Sequence, residues 1–192
     1  MTDPEQIGAT LKENEDAMAT SLITDISNYF TAMKEVVRYC QETDRKCVYV
    51  TATIPSSVIL EQLASEEIST DHVYFVDCIS YMVGKAPEKE DRVLFVESPT
   101  MVETIMLKVH TMVKMLGEEP KLVFLDSVNT LSLHNDEKIM QEFVHYLINA
   151  LRVRAVPSVV LSIVDQTTED LEIILKLVCD EVIEAVGEEE DF

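Results

Sequence analysis

The feature that most constrains this chain is an alternation between short, nearly unbroken apolar runs and longer stretches of helical period. The runs fall at Cys47 to Thr51, Val73 to Cys78, Val93 to Val96, Leu122 to Leu125 and Ser158 to Val164, with a weaker one at Glu181 to Val186. They are rich in β-branched residues, as strands are. Between several of them, Val58 to Glu67, Met101 to Leu116, Glu137 to Arg152 and Glu169 to Leu177 carry the period of an amphipathic helix. A strand that is apolar at successive positions is buried on both faces, which suits a parallel sheet covered by helices. The pattern predicts an α/β layered domain, and 192 residues at 47% hydrophobic content are enough for one full core.

Ahead of the first run, Met18, Leu22, Ile23, Ile26, Phe30, Met33, Val36, Val37 and Cys40 recur at helical steps and predict one long amphipathic helix over residues 17–42. Its apolar stripe can dock on the sheet or on another chain. Residues 1–16 are polar and expected to be flexible, residues 47–186 form the core of a single domain spanning 17–186, and the acidic segment 187–192 reads as a disordered tail. The link Ile79 to Arg92, with Gly84 and Pro87, reads as an exposed excursion without a full crossover helix. Helix starts are signalled by a capping box at Thr100 to Glu103, by Asn135 or Asp136, and by Thr167-Thr-Glu-Asp170.

Charge narrows the function classes. With 36 acidic and 15 basic residues the formal charge is −21, so a nucleic-acid backbone is repelled over most of the surface and no nucleic acid is expected. The amino terminus has no basic region followed by an apolar one, and no run approaches the roughly 18 apolar residues of a membrane span, so the expected location is cytoplasmic, with no membrane partner. Cys40, Cys47, Cys78 and Cys179 form no C-x-x-C pair, and His72, His110, His134 and His145 form no H-x-x-x-H pair. No metal site is expected from them.

One segment carries chemistry. In Lys121-Leu-Val-Phe-Leu-Asp-Ser-Val-Asn129, four apolar residues lead into Asp126-Ser127, the form of a Walker B strand whose carboxylate orients a metal ion. Such a strand works with a loop G-x-x-x-x-G-K-[ST], whose glycines let backbone N–H groups close around phosphate and whose lysine neutralises charge. Where that loop should follow the first run, this chain reads Thr51-Ala-Thr-Ile-Pro-Ser-Ser57, without glycine or lysine. Ser56 and Ser57 stand where a helix can begin, and N-capping accounts for serines there, although a helix amino terminus also attracts phosphate. Asp126 is open to two readings, an acceptor for neighbouring loop amides or an orienter of magnesium through water.

Taken in order, Val48-Tyr-Val-Thr-Ala-Thr-Ile-Pro55, Val73-Tyr-Phe-Val-Asp-Cys-Ile-Ser80, Leu94-Phe-Val-Glu-Ser-Pro-Thr100 and Val123-Phe-Leu-Asp-Ser-Val-Asn-Thr-Leu131 with His134-Asn-Asp136 resemble archaeal KaiC-like domains of the RecA superfamily. Val159 to Val164 and Val178 to Ile183 fit the same pattern. The resemblance spans roughly residues 47–186 and implies a RecA-like fold, a mostly parallel sheet between helices, with any nucleotide at the loop after the first strand. Active relatives carry Gly-Lys-Thr or Gly-Lys-Ser and an acid soon after the second strand, whereas this chain has Thr53 to Ser57 and Cys78-Ile79-Ser80, with Asp77 inside the strand.

The resemblance therefore implies a catalytically silent domain, a pseudo-ATPase, acting as a regulatory or signalling module. Its partner would be another protein or a second copy of itself. The vestigial nucleotide site would comprise Thr53, Ser56, Ser57, Asp126 and Ser127, with no catalytic residue, metal or cofactor expected. The alternatives are a binder of ATP or ADP with magnesium that turns over weakly or not at all, a structural subunit of an oligomer, and a different enzyme using Glu97, Asp126 and Asp165.

Overall fold

The computed structural model describes residues 2–84, 86, 90–164 and 166–187. The acidic tail beyond Gly187, part of the 79–92 excursion and Asp165 lie outside the described residues. The elements are α1 (Ile7–Glu13), β1 (Ala19–Thr24), α2 (Tyr29–Glu42), β2 (Lys46–Thr51), α3 (Ser56–Ser65), β3 (Val73–Asp77), β4 (Val93–Phe95), α4 (Val102–Met115), β5 (Lys121–Asp126), α5 (Val128–Ser132), α6 (Glu137–Val153), β6 (Ser158–Ile163), α7 (Glu169–Val178) and β7 (Glu181–Ala185). The seven strands form one sheet in the order β4-β3-β2-β5-β6-β1-β7, and every pairing is parallel.

Alternation along each strand divides the core in two. In β2, Val48 and Val50 face Ile105, Val109, Phe143 and Leu147 of α4 and α6, while Cys47 and Tyr49 face Met33, Val36, Ile59 and Leu63 of α2 and α3. Tyr49 stacks edge-on against Phe124 at 4.8 Å between centroids and lies 5.3 Å from Phe75, so three neighbouring strands share one aromatic cluster. Burial on both faces is the physical source of the near-continuous apolar runs.

The long helix expected over residues 17–42 is two elements. Ala19 to Thr24 is a strand inserted between β6 and β7, and only Tyr29–Glu42 is helical. Thr20, Ser21 and Thr24 are buried, and the Thr24 hydroxyl donates to the Ala185 carbonyl at 2.8 Å. The break comes from Asp25, whose side chain accepts the Asn28 N–H at 2.8 Å and the Ser27 hydroxyl at 2.6 Å, an Asx-type turn that competes with helix. An N-terminal helix does exist, but earlier in the chain. A 3-10 turn at Pro4–Gln6 leads into α1, whose Ile7 and Leu11 are buried in the core beside α2, so the stretch expected to be flexible is docked. Gly8 faces Glu35, where an added Cβ would lie 3.1 Å from a carboxylate oxygen.

Helix starts also depart from expectation. The capping box at Thr100 does not form, because Met101 is the N-cap of α4 and the Ser98 hydroxyl instead accepts the Thr100 N–H at 3.2 Å. Asp136 is the N-cap of α6 without a side-chain bond, while Asn135 donates to the Pro99 and Leu131 carbonyls. Thr168 caps α7 through the Leu171 N–H. No described helix is long and apolar enough to cross a membrane.

Candidate functional site

Strand order reverses between β2 and β5, from which the chain winds outward in both directions, and in open α/β sheets the crevice at the carboxyl ends beside such a point is where ligands bind. Register puts Asp77 of β3, Thr51 of β2 and Asp126 of β5 level with one another at that end. All three are fully buried.

Asp126 lies beneath two phenols. Its Oδ2 accepts the Tyr29 hydroxyl at 2.6 Å and the Tyr49 hydroxyl at 2.5 Å, whereas Oδ1 is buried without a hydrogen-bond partner among the described residues. Burial raises its pKa to about 6, against the pull of the Tyr29 and Tyr49 hydroxyls. Burial and the adjacent carboxyl also push both tyrosines above their ordinary range, so the phenols remain donors. Ser127 is joined to Asp126 by a cis peptide and is the N-cap of α5, its Oγ accepting the Thr130 N–H at 3.3 Å. Thr53 is tied to the same turn, with 2.9 Å between its hydroxyl oxygen and that of Thr130.

Three N–H groups along the loop from β2 to α3 are held by the protein's own acceptors. The Ala52 N–H goes to the Asp126 carbonyl, the Ile54 N–H to the Thr51 hydroxyl, and the Thr51 hydroxyl donates to the Ile54 carbonyl at 2.5 Å. Pro55 has no N–H and is the N-cap of α3, so Ser56 and Ser57 are the first helical residues and not caps. The Ser56 N–H donates to Asp77 Oδ2 at 2.8 Å. That same oxygen accepts the Ser80 hydroxyl at 2.7 Å, and Oδ1 accepts the N–H groups of Ile79 and Ser80 at 3.0 and 2.8 Å. A carboxylate of the chain thus stands at the amino terminus of α3, where the helix dipole favours an anion.

Of the five residues expected from sequence, Thr53 and Ser127 meet through Thr130, Asp126 is bonded to Tyr29 and Tyr49 instead, Ser56 is buried on the Asp77 side, and Ser57 is exposed. Asp77, Tyr29, Tyr49 and Thr130 are the members sequence reasoning missed. The spacing Asp77-x-x-Ser80, an Asx-type turn after a strand, is the one local signal that could have found Asp77. Glu97 is exposed and shares no environment with buried Asp126. No group of three or more His, Cys, Asp or Glu side chains suited to a metal ion occurs among the described residues.

No protein-family model matches the chain, and no curated protein matches it. Solved structures do. A KaiC-like protein from the hyperthermophilic archaeon Pyrococcus horikoshii superposes with a TM-score of 0.66 at 14% identity, over 91% of this chain and 74% of that one. An uncharacterized protein from Pyrococcus horikoshii, solved in complex with an unknown peptide, gives 0.61 at 12% identity over 92% and 82%. The flagellar accessory protein FlaH from Methanocaldococcus jannaschii gives 0.59 at 9% identity over 87% and 70%. At such identities the likeness is one of fold, and the fold is the RecA-like α/β architecture of KaiC-like proteins.

Proposed function

We propose that this chain is a catalytically silent RecA-like domain that acts by binding other proteins in a regulatory or signalling role, with no nucleotide cofactor. The observation that carries the reading is the Asp77 carboxylate at the start of α3, holding the Ser56 N–H that a phosphate would otherwise take. A phosphate loop works by presenting uncommitted N–H groups and a cation, and here the Ala52, Ile54 and Ser56 N–H groups are committed and the loop has neither lysine nor glycine. A phosphate entering there would meet Asp77 and Asp126 on either side of Thr51. Phosphoryl transfer depends on positioning and charge stabilisation, and neither is supplied by this set of groups.

Contact with proteins is supported by the surface around the same end of the sheet. Tyr81, Met82 and Val83 after β3 are 47%, 53% and 52% exposed, and Leu133 after α5 is 82% exposed. Large apolar side chains left in water favour a partner's surface. One of the structural neighbours was solved with an unknown peptide, which is consistent with a peptide-contacting role on this fold.

The test is isothermal titration of the purified chain with ATP and with ADP in magnesium at low salt. The expected result is heat no greater than dilution; saturable binding in the micromolar range would replace this reading with that of a nucleotide-binding switch.

A further inference from the structure

A cavity lies away from the crevice, at the amino end of the sheet, where α4 and α6 finish and β5 begins. It measures about 590 Å³, and His110, Lys114, Lys121 and Arg154 line it beside Val113 and Val156. On a chain of 15 basic and 36 acidic residues this is a concentration of positive charge. None of the ion pairs among the described residues engages Lys114, Lys121 or Arg154. The acids at the rim are Glu118 and Glu119, of which Glu119 is paired with Lys46 at 3.3 Å.

Helix ends explain part of this arrangement. Cations suit the carboxyl termini of helices, and Lys121 donates to the Gly117 carbonyl at 2.6 Å and Arg154 to the Ala150 carbonyl at 2.9 Å. They do not explain His110, whose Nε2 is buried with no hydrogen-bond partner among the described residues. Burial, and then the charge of Arg154, lower its pKa, so the ring is neutral near pH 7 and adds no charge beside the cations.

An apolar stripe ends one residue short of the cavity lining. Ile139, Tyr146 and Val153 recur every seven residues along α6 and are 41%, 56% and 87% exposed, and Val153 adjoins Arg154. They lie on the flank of α6 away from α7, which is tied to the other flank through Gln141 to Asp170 and Arg152 to Val178 and Asp180. Seven-residue spacing is the pattern an opposing helix reads, and a row ending in cations selects acidic residues at the end of that helix.

We infer that the α6 stripe and the basic cavity together form the docking site for an acidic, amphipathic segment of a partner protein. Its apolar residues cover Ile139, Tyr146 and Val153, and its carboxylates enter among Lys114, Lys121 and Arg154. This rests on the reading of the chain as a protein-binding domain and names the chemistry of the partner. A second copy of the chain is the competing occupant, and a net charge of −21 on each copy opposes it.

The test selects random displayed peptides of about fifteen residues, the span of the stripe, against the folded full chain at moderate salt. A surface this acidic would ordinarily draw basic peptides, so composition alone discriminates. The expected winners are acidic, carry apolar residues at helical spacing, and lose about tenfold or more in affinity for a Lys114→Glu/Arg154→Glu variant and for Val153→Asp, as well as with added salt. All three substitutions are at exposed positions, and circular dichroism confirms that the variants fold. Basic winners, no enrichment, or acidic winners that bind both variants equally well would overturn the proposal. So would a dimer in sedimentation that Val153→Asp returns to monomer, because the occupant would then be a second copy. Failure here leaves the silent-domain reading intact, since nucleotide titration tests that reading alone.

Discussion

Asp77 and Asp126 end strands on either side of β2, level with Thr51 and both fully buried, yet one is surrounded by donors and the other is only half satisfied. Asp77 takes four hydrogen bonds, three from backbone N–H groups and one from Ser80. Asp126 takes two, both on Oδ2, and leaves Oδ1 without a partner among the described residues. The same chemical group at equivalent register thus fills two roles. One carboxylate substitutes for a bound anion and fixes the β2 to α3 loop. The other has lost solvent without gaining a full set of donors.

The largest expected effect follows from this contrast. Asp77→Ala strands the Ser56, Ile79 and Ser80 donors together and should destabilise the fold by about 3–5 kcal/mol, since each unpaired buried donor costs on the order of 1–3 kcal/mol. Asp77→Asn keeps an acceptor for part of the set and should cost less. Urea unfolding at pH 7 measures both. A loss under about 1 kcal/mol for the alanine variant would show that the loop does not depend on Asp77.

The next effect belongs to Asp126 and depends on pH. Its folded pKa of about 6 lies above the ordinary carboxyl value of 3.8 that holds in the unfolded chain, so the folded state holds its proton more tightly. Stability from this group is therefore full below about pH 4 and is lost as pH rises through about 6, a fall of about 3 kcal/mol over the window. Asp25 runs the other way: burial acts to raise its pKa, but bonds from Ser27, Gly187 and Asn28 outweigh burial and hold it below its ordinary value, so its contribution is lost only as pH falls. Across pH 4.5 to 6.5 His72 and His110, whose pKa values burial lowers, act in the opposite sense and lose stability as pH falls. The test is therefore the difference in denaturation between parent and Asp126→Asn: the variant should lack the loss of stability with rising pH that Asp126 causes.

How much of this was legible in the sequence depends on the distance over which each feature is determined. β2, β3, β5 and β6 were legible because a strand buried on both faces writes its own apolar run. β1 was hidden because Thr20, Ser21 and Thr24 are buried polar residues, and its apolar side chains happen to continue the helical spacing of α2. Only its insertion between β6 and β7 makes it a strand. Asp126 could be picked out as the acid at the end of an apolar run. Its environment could not, since Tyr29 is 97 residues away and Tyr49 is 77 away. Asp77 and Ser56 lie 21 residues apart and meet only because β2 and β3 are paired.

A smaller effect is expected from Asp126→Asn itself at pH 7. The amide oxygen can still accept from Tyr29 and Tyr49, and removing a desolvated charge offsets the new burial of an amide NH₂ where Oδ1 had no partner. The net change should stay within about 2 kcal/mol of the parent. Unfolding caused by this substitution would make Asp126 as structural as Asp77 and would erase the contrast between them.

The smallest effect expected is that of nucleotide. A ligand raises the melting temperature only through the state it binds, so millimolar ATP with magnesium should shift the Tm by less than about 1 °C if the α3 terminus is already satisfied from within. The contrast between the two acids also says where binding could be restored. Asp77→Asn removes the charge that stands at the helix amino terminus, whereas Asp126→Asn leaves that charge in place. If electrostatic exclusion by Asp77 is what keeps phosphate away, a nucleotide-dependent shift should appear in the first variant before the second. If neither responds, the missing lysine and the committed N–H groups of the β2 to α3 loop are sufficient to exclude phosphate, and the charge of Asp77 serves the fold alone.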